Sequence, residues 1–151
     1  MSLSNNYFHY WVDSKKDEEI KKFQECIDSY IYFKKDSMVI TNKLIRENRN
    51  FQAPKLLKTF LLLFSRDINK LTLAKDTIKS ISVDNINNHF HKYLEVAKLW
   101  INNDLKNLLK KLELIIKENP KDIFAIRLFH FNNIFVGIDA NFLDKHDEIL
   151  S

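Results

Sequence analysis

Apolar residues recur along this chain at spacings of three and four, the period of helices with one buried face. From about Lys16 to Phe33 the series Ile20, Phe23, Ile27, Tyr30 and Ile31 marks a first helix. Asp17, Glu18 and Glu19 stand in its first turn and Lys34 and Lys35 follow its end, both favourable to the helix dipole. Asp36 or Ser37 can cap a second helix, running to about Glu47, with Val39, Ile40, Leu44 and Ile45 inward and an Asn-rich stop at residues 48–50. Pro54, in a first turn where a missing amide hydrogen costs little, opens a third helix to about Ser65. That segment is apolar nearly all round, which predicts a place in the middle of the core.

Asp67 caps a fourth helix carrying Ile68, Leu71, Ala74, Ile78 and Ile81. Asp84 or Asn85 starts a fifth, with Ile86, Phe90, Tyr93, Leu94, Ala97 and Trp100 on its inner face. A sixth, from about Asp104 to Glu118, places Leu105, Leu108, Leu109, Leu112, Ile115 and Ile116 together and stops at Asn119-Pro120, because the residue before proline leaves the α region. A seventh follows with Ile123, Phe124, Ile126, Leu128, Phe131 and Phe135 and ends at Gly137; an eighth, short and more polar, runs from Asn141 towards Leu150. The connections are short and polar, so neighbouring helices are expected to be antiparallel.

The composition supports the same class. One glycine and two prolines in 151 residues leave almost no material for hairpins and bulges, and none for phosphate-cradling loops or nucleophile elbows. With 45% hydrophobic and 29% charged residues the chain is expected to fold as one domain, residues 1–151, with an aromatic and polar N-terminal segment at 1–15. The net charge is +4, yet only Arg46, Arg49, Arg66 and Arg127 among the 24 basic residues are arginines, the side chain best suited to gripping phosphate, so nucleic acid is a disfavoured partner. Cys26 is the only cysteine, the longest apolar stretch is residues 60–64, and residues 1–10 lack the pattern of a signal peptide, so a cytoplasmic location without membrane insertion is expected.

Residues 93–120 resemble one tetratricopeptide unit, two helices around a polar Asn102-Asn103 turn with a closing Asn-Pro. More narrowly, Glu118-Asn119-Pro120-Lys121-Asp122, Ala125-Ile126-Arg127-Leu128, His130 and Phe135-Val136-Gly137 resemble the N-terminal part of the tetratricopeptide repeat protein thirty-eight family. Phe131 stands where that family usually has aspartate, and its members continue through further helices. The resemblance implies an all-α fold of antiparallel hairpins, seven or eight helices stacked as a short right-handed α-solenoid, and a protein-binding role without catalytic residues to carry over.

Candidate chemistry is thin. His89 and His91 point about 200° apart on a helix and do not share a metal. His130 reads as a hydrogen-bonded structural histidine and Cys26 as a buried, inert thiol. Asp144, His146, Asp147 and Glu148 read as a solvated terminal helix, and Lys55, Lys58, Lys70, Lys75 and Lys79 as a solvated face. Tyr7, Phe8, Tyr10 and Trp11 are either a binding segment or, the favoured reading, a cap packed over the first helical pair.

No catalytic, cofactor-binding or metal-binding residue is expected. The expected function is a non-catalytic scaffold or adaptor whose concave face receives a protein or peptide, with Asn88, Lys92, Glu95 and Lys98 at the groove edge. Self-association through the C-terminal helix is a further expectation. The alternative is a truncated or split scaffold part of a larger enzyme or complex, whose chemistry lies elsewhere.

Overall fold

The computed structural model describes residues 11–32 and 36–135, and among these it is entirely helical. Six helices are α1 (Asp17–Ile31), α2 (Ser37–Glu47), α3 (Ala53–Phe64), α4 (Ile68–Lys79), α5 (Asn88–Ile101) and α6 (Leu105–Glu118). A seventh, α7, runs from 123 to 135, where the described residues end. The expected eighth helix and the acidic group at 144–148 lie outside the described residues, as do Tyr7, Phe8, Tyr10 and Gly137.

Helices adjacent in sequence pack together as α1/α2, α2/α3, α3/α4 and α5/α6, while α3 also meets α1 and α5. This is the contact pattern of an α-solenoid, in which the odd helices form an inner layer and the even helices an outer one. The layering follows from sequence. Helix α3 is the most apolar and buries Ala53, Leu56, Leu57, Phe60, Leu62 and Leu63, so it occupies the centre. Its hydroxyl is accommodated too, since buried Thr59 donates through Oγ1 to the Lys55 carbonyl at 2.9 Å.

Local chemistry sets the helix starts. Asp67 accepts the Asn69 amide at 2.9 Å, Asn87 the Phe90 amide at 2.8 Å, and Asp122 the Ala125 amide at 3.0 Å, each satisfying an otherwise orphaned first-turn donor. Asp104 binds its own first turn through the Asn107 side-chain amide at 2.8 Å. The start of α5 is therefore Asn87 rather than Asp84 or Asn85: those two form a turn, held in part by a Ser82 hydroxyl bond to Asp84 at 3.3 Å.

Helix α4 departs from expectation. Ile68, assigned to its buried face, is 78% exposed, and Ala74 is its only fully buried residue. The helix packs on α3 through Leu71, Ala74, Thr77 and Ile78, and its other residues are exposed. Among the described residues no helix is long and apolar enough to cross a membrane.

Candidate interaction surface

The inner layer closes around aromatic rings. Trp11, which precedes α1, is 2% exposed. Its ring meets Phe23 of α1 at 5.8 Å, Phe60 of α3 at 5.6 Å, Tyr93 of α5 at 4.6 Å and Phe124 of α7 at 5.1 Å between centroids. One side chain thus touches all four odd helices, at distances where tilted and offset ring pairs are favourable. Phe124 also meets Tyr30 of α1 at 5.8 Å, and Phe131 meets Phe64 at 4.9 Å and Trp100 at 5.7 Å, so α7 folds back against α1, α3 and α5. These rings fill the space between the odd helices. Trp11 does pack, but at the junction of four helices and not as a lid over the first pair.

The residues beside Trp11 are fixed by polar contacts. The Asp13 carboxylate accepts the Gln52 amide at 2.9 Å and the Ala53 amide at 2.9 Å, capping α3 from across the fold. Partial burial pushes the Asp13 carboxyl above its ordinary range even though those amides favour its charged form. Gln52 in turn accepts the Ser82 amide at 2.9 Å, and the Asn87 side-chain amide donates to the Val12 carbonyl at 3.4 Å.

A second buried polar pair ties α5 to α7. The Tyr93 hydroxyl donates to Asp122, which uses its other oxygen to cap α7. Burial raises the Asp122 carboxyl above its usual range and, with the neighbouring carboxylate, drives the Tyr93 phenol well above its own. Both groups have defined structural partners, and so does Cys26, whose thiol is buried and pushed up to about 11 by loss of solvent.

The four expected groove-edge residues all lie on α5. Asn88 and Lys98 are exposed. Lys92 and Glu95 instead face α6, where Lys92 pairs with Glu118 at 2.6 Å and Glu95 pairs with Lys111. The ammonium of Lys92 holds the Glu118 carboxyl below its usual range. These pairs span the exposed side of the α5/α6 hairpin, and periodicity alone does not reveal which neighbour a polar stripe faces. His130, expected as a hydrogen-bonded structural histidine, is exposed, with its ring edge-on to Phe129 at 5.9 Å. Among the described residues no three His, Cys, Asp or Glu side chains are grouped to hold a metal ion.

Open concavities lie on the outside. A cleft of about 220 Å³ sits where the α3/α4 and α5/α6 turns come side by side, floored by Leu62, Leu63, Trp100 and Leu105 and walled by Ile68, Leu71 and Ile101. Arg66, Asp67 and Asn103 complete its rim. Arg66 and Asn103 both take left-handed backbone angles, φ 53° and 56°, the reversal that ends α3 and α5. For asparagine this costs little, while for arginine it is less common, and the Arg66 guanidinium stacks 3.6 Å from the centre of the Phe135 ring. The cleft is smaller than typical small-molecule pockets of roughly 300 Å³ or more and has the size of a socket for a large apolar side chain. A shallower groove between α6 and α7 is lined by Ile116, Ile126 and Phe129, with Glu113, Lys117 and His130 at its edges.

The fold is thus an all-helical stack of antiparallel hairpins with an apolar cleft between the α3/α4 and α5/α6 turns. Compared with known proteins, the chain matches no family model, no curated protein and no solved structure.

Proposed function

We propose that this chain is a non-catalytic, tetratricopeptide-like interaction module that holds another polypeptide, and that the partner docks at the outer cleft between the α3/α4 and α5/α6 turns. The observation that carries this reading is the cleft itself, an apolar socket whose wall residue Ile68 is 78% exposed. A side chain of that size left in water contributes about 1.5–3 kcal/mol when a partner covers it, the scale of an interface anchor. Leu71, on the same face of α4 as Ile68, is half-buried in the same cleft. Exposed Lys70, Lys75 and Lys79 on α4 suit a partner segment with acidic residues flanking an apolar anchor. The likeness to the thirty-eight family belongs to this reading, as does a cytoplasmic location.

Affinity capture from a lysate of the source organism tests it, using the wild-type chain beside Ile68→Glu and Leu71→Glu variants at physiological salt. The reading expects a protein retained by the wild type and lost by both variants. Equal retention by all three, or retention of nucleic acid alone, overturns it.

A second reading, a scaffold part of a larger assembly, draws on Ile123 and Ile134 of α7, which are 42% and 60% exposed. Covering that face requires a large apolar partner surface.

A further inference from the structure

We infer that the inner layer is a recognition seat for a polypeptide segment in which an aromatic residue is followed two positions later by an aspartate, and that this chain fills the seat with its own residues Trp11–Asp13. The inference rests on the interaction-module reading but concerns a different face of the molecule.

Three separate features of the seat are matched by three consecutive residues. The ring of Trp11 enters a cage built from one aromatic side chain of each odd helix, α1, α3, α5 and α7. The Val12 carbonyl accepts from the Asn87 side chain. The Asp13 carboxylate meets the Gln52 and Ala53 amides, a pair of donors at the start of α3 that no side chain of the α3 N-cap satisfies. The donors thus serve a carboxylate supplied from 39 and 40 positions away in sequence. Beyond them, Ser14 donates to Glu19 at 2.7 Å and Lys15 and Lys16 are exposed, so residues 11–13 hold the seat as an arm joined to α1 through a short surface link. This is how a bound peptide is held: an anchor ring in an aromatic pocket, a main-chain carbonyl fixed by an amide, and a carboxylate on backbone donors.

Because the arm is covalently attached, its effective concentration at the seat is on the order of millimolar, and a segment in trans must compete with it. Emptying the seat is therefore predicted to reveal binding that the intact chain masks. The probe is a capped, fluorescein-labelled peptide with the sequence of residues 9–15, titrated by anisotropy into full-length wild type and full-length Trp11→Ala, with far-UV circular dichroism confirming the variant's helicity. The expected result is saturable binding to Trp11→Ala at least about tenfold tighter than to wild type. A peptide carrying alanine in place of its aspartate is expected to bind at least about tenfold more weakly than the parent. If Trp11→Ala is not helical, the same titration on Asp13→Ala takes its place, with the same ordering expected. Equal binding to variant and wild type, or none to a helical variant, overturns the inference; either result leaves the Ile68 and Leu71 comparison at the outer cleft standing on its own.

Discussion

Trp11 lies outside the seven α-helices, six positions before α1, and no helical period of apolar residues marks it as a core position. Its burial makes it one. Replacing a fully enclosed tryptophan by alanine removes the transfer energy of the indole and leaves a cavity that the surrounding helices fill only in part, a loss of about 3–5 kcal/mol. The four rings around Trp11 belong to four different helices, so collapse into the cavity needs a concerted shift of the inner layer, which places the loss toward the upper end. Against a total stability of about 5–15 kcal/mol this is a large fraction, and for a chain of this size it corresponds to a fall in Tm of roughly 10 °C. Urea denaturation of wild type, Trp11→Ala and Phe60→Ala, followed by far-UV circular dichroism, reads it directly. Trp11→Ala is expected to cost about as much as Phe60→Ala at the centre of α3. A loss below about 0.5 kcal/mol, the value for an exposed position, refutes the placement of Trp11 among the odd helices.

The buried groups give three further expectations. Cys26, fully buried with its thiol pushed up to about 11, is expected to resist a disulfide exchange reagent at pH 8 in the native chain and to react at once in urea; fast native reaction contradicts its burial. Asp122 carries a carboxyl raised above 3.8 by burial, so between 3.8 and its higher native value the folded chain holds a proton that the unfolded chain has released. That group's contribution therefore falls as pH rises through the window, and the stability of wild type relative to Asp122→Asn is expected to increase when urea titrations move from pH 7 down to the ordinary aspartate value of 3.8; a relative stability that decreases is against it. Glu95→Gln removes the exposed ion pair to Lys111 and is expected to leave the urea midpoint unchanged at 0.15 M salt, since such pairs are screened and entropically costly to hold.

Much of the fold was legible because it rests on local signals. The period of apolar residues, Pro54 in the first turn of α3, Asp67 and Asp104 before α4 and α6, and Asn119-Pro120 after α6 each act within one helical turn, and the structure places those helix ends within a residue or two of the sequence reading. The start of α5 was misread because Asp84, Asn85 and Asn87 are all competent caps, and only the fold decides which one faces the first amides. Ile68 was misread for a related reason: periodicity tells which residues share a face, not whether a neighbour extends far enough to cover it.

The candidate surface was far less legible. The Asp13 bonds to Gln52 and Ala53 span 39 and 40 positions, and no local pattern announces them. Asp122 did carry a signal, an aspartate just before an apolar run, but its second partner Tyr93 lies 29 positions away. Lys92 and Glu95 were expected at a groove edge from their spacing on α5, and Glu118 and Lys111 draw them to α6. The outer cleft is built from two turns that are distant in sequence, each ending in a left-handed residue other than glycine, so nothing in the composition marks it.

The central claim, that a polypeptide partner docks at the outer cleft, is tested most directly by photocrosslinking. A benzophenone amino acid placed at Ile68, and in a parallel chain at exposed Lys98, is irradiated in lysate at physiological salt. The account predicts a discrete protein adduct from position 68 that is absent from position 98; adducts of equal yield from both positions, or none from position 68, contradict it.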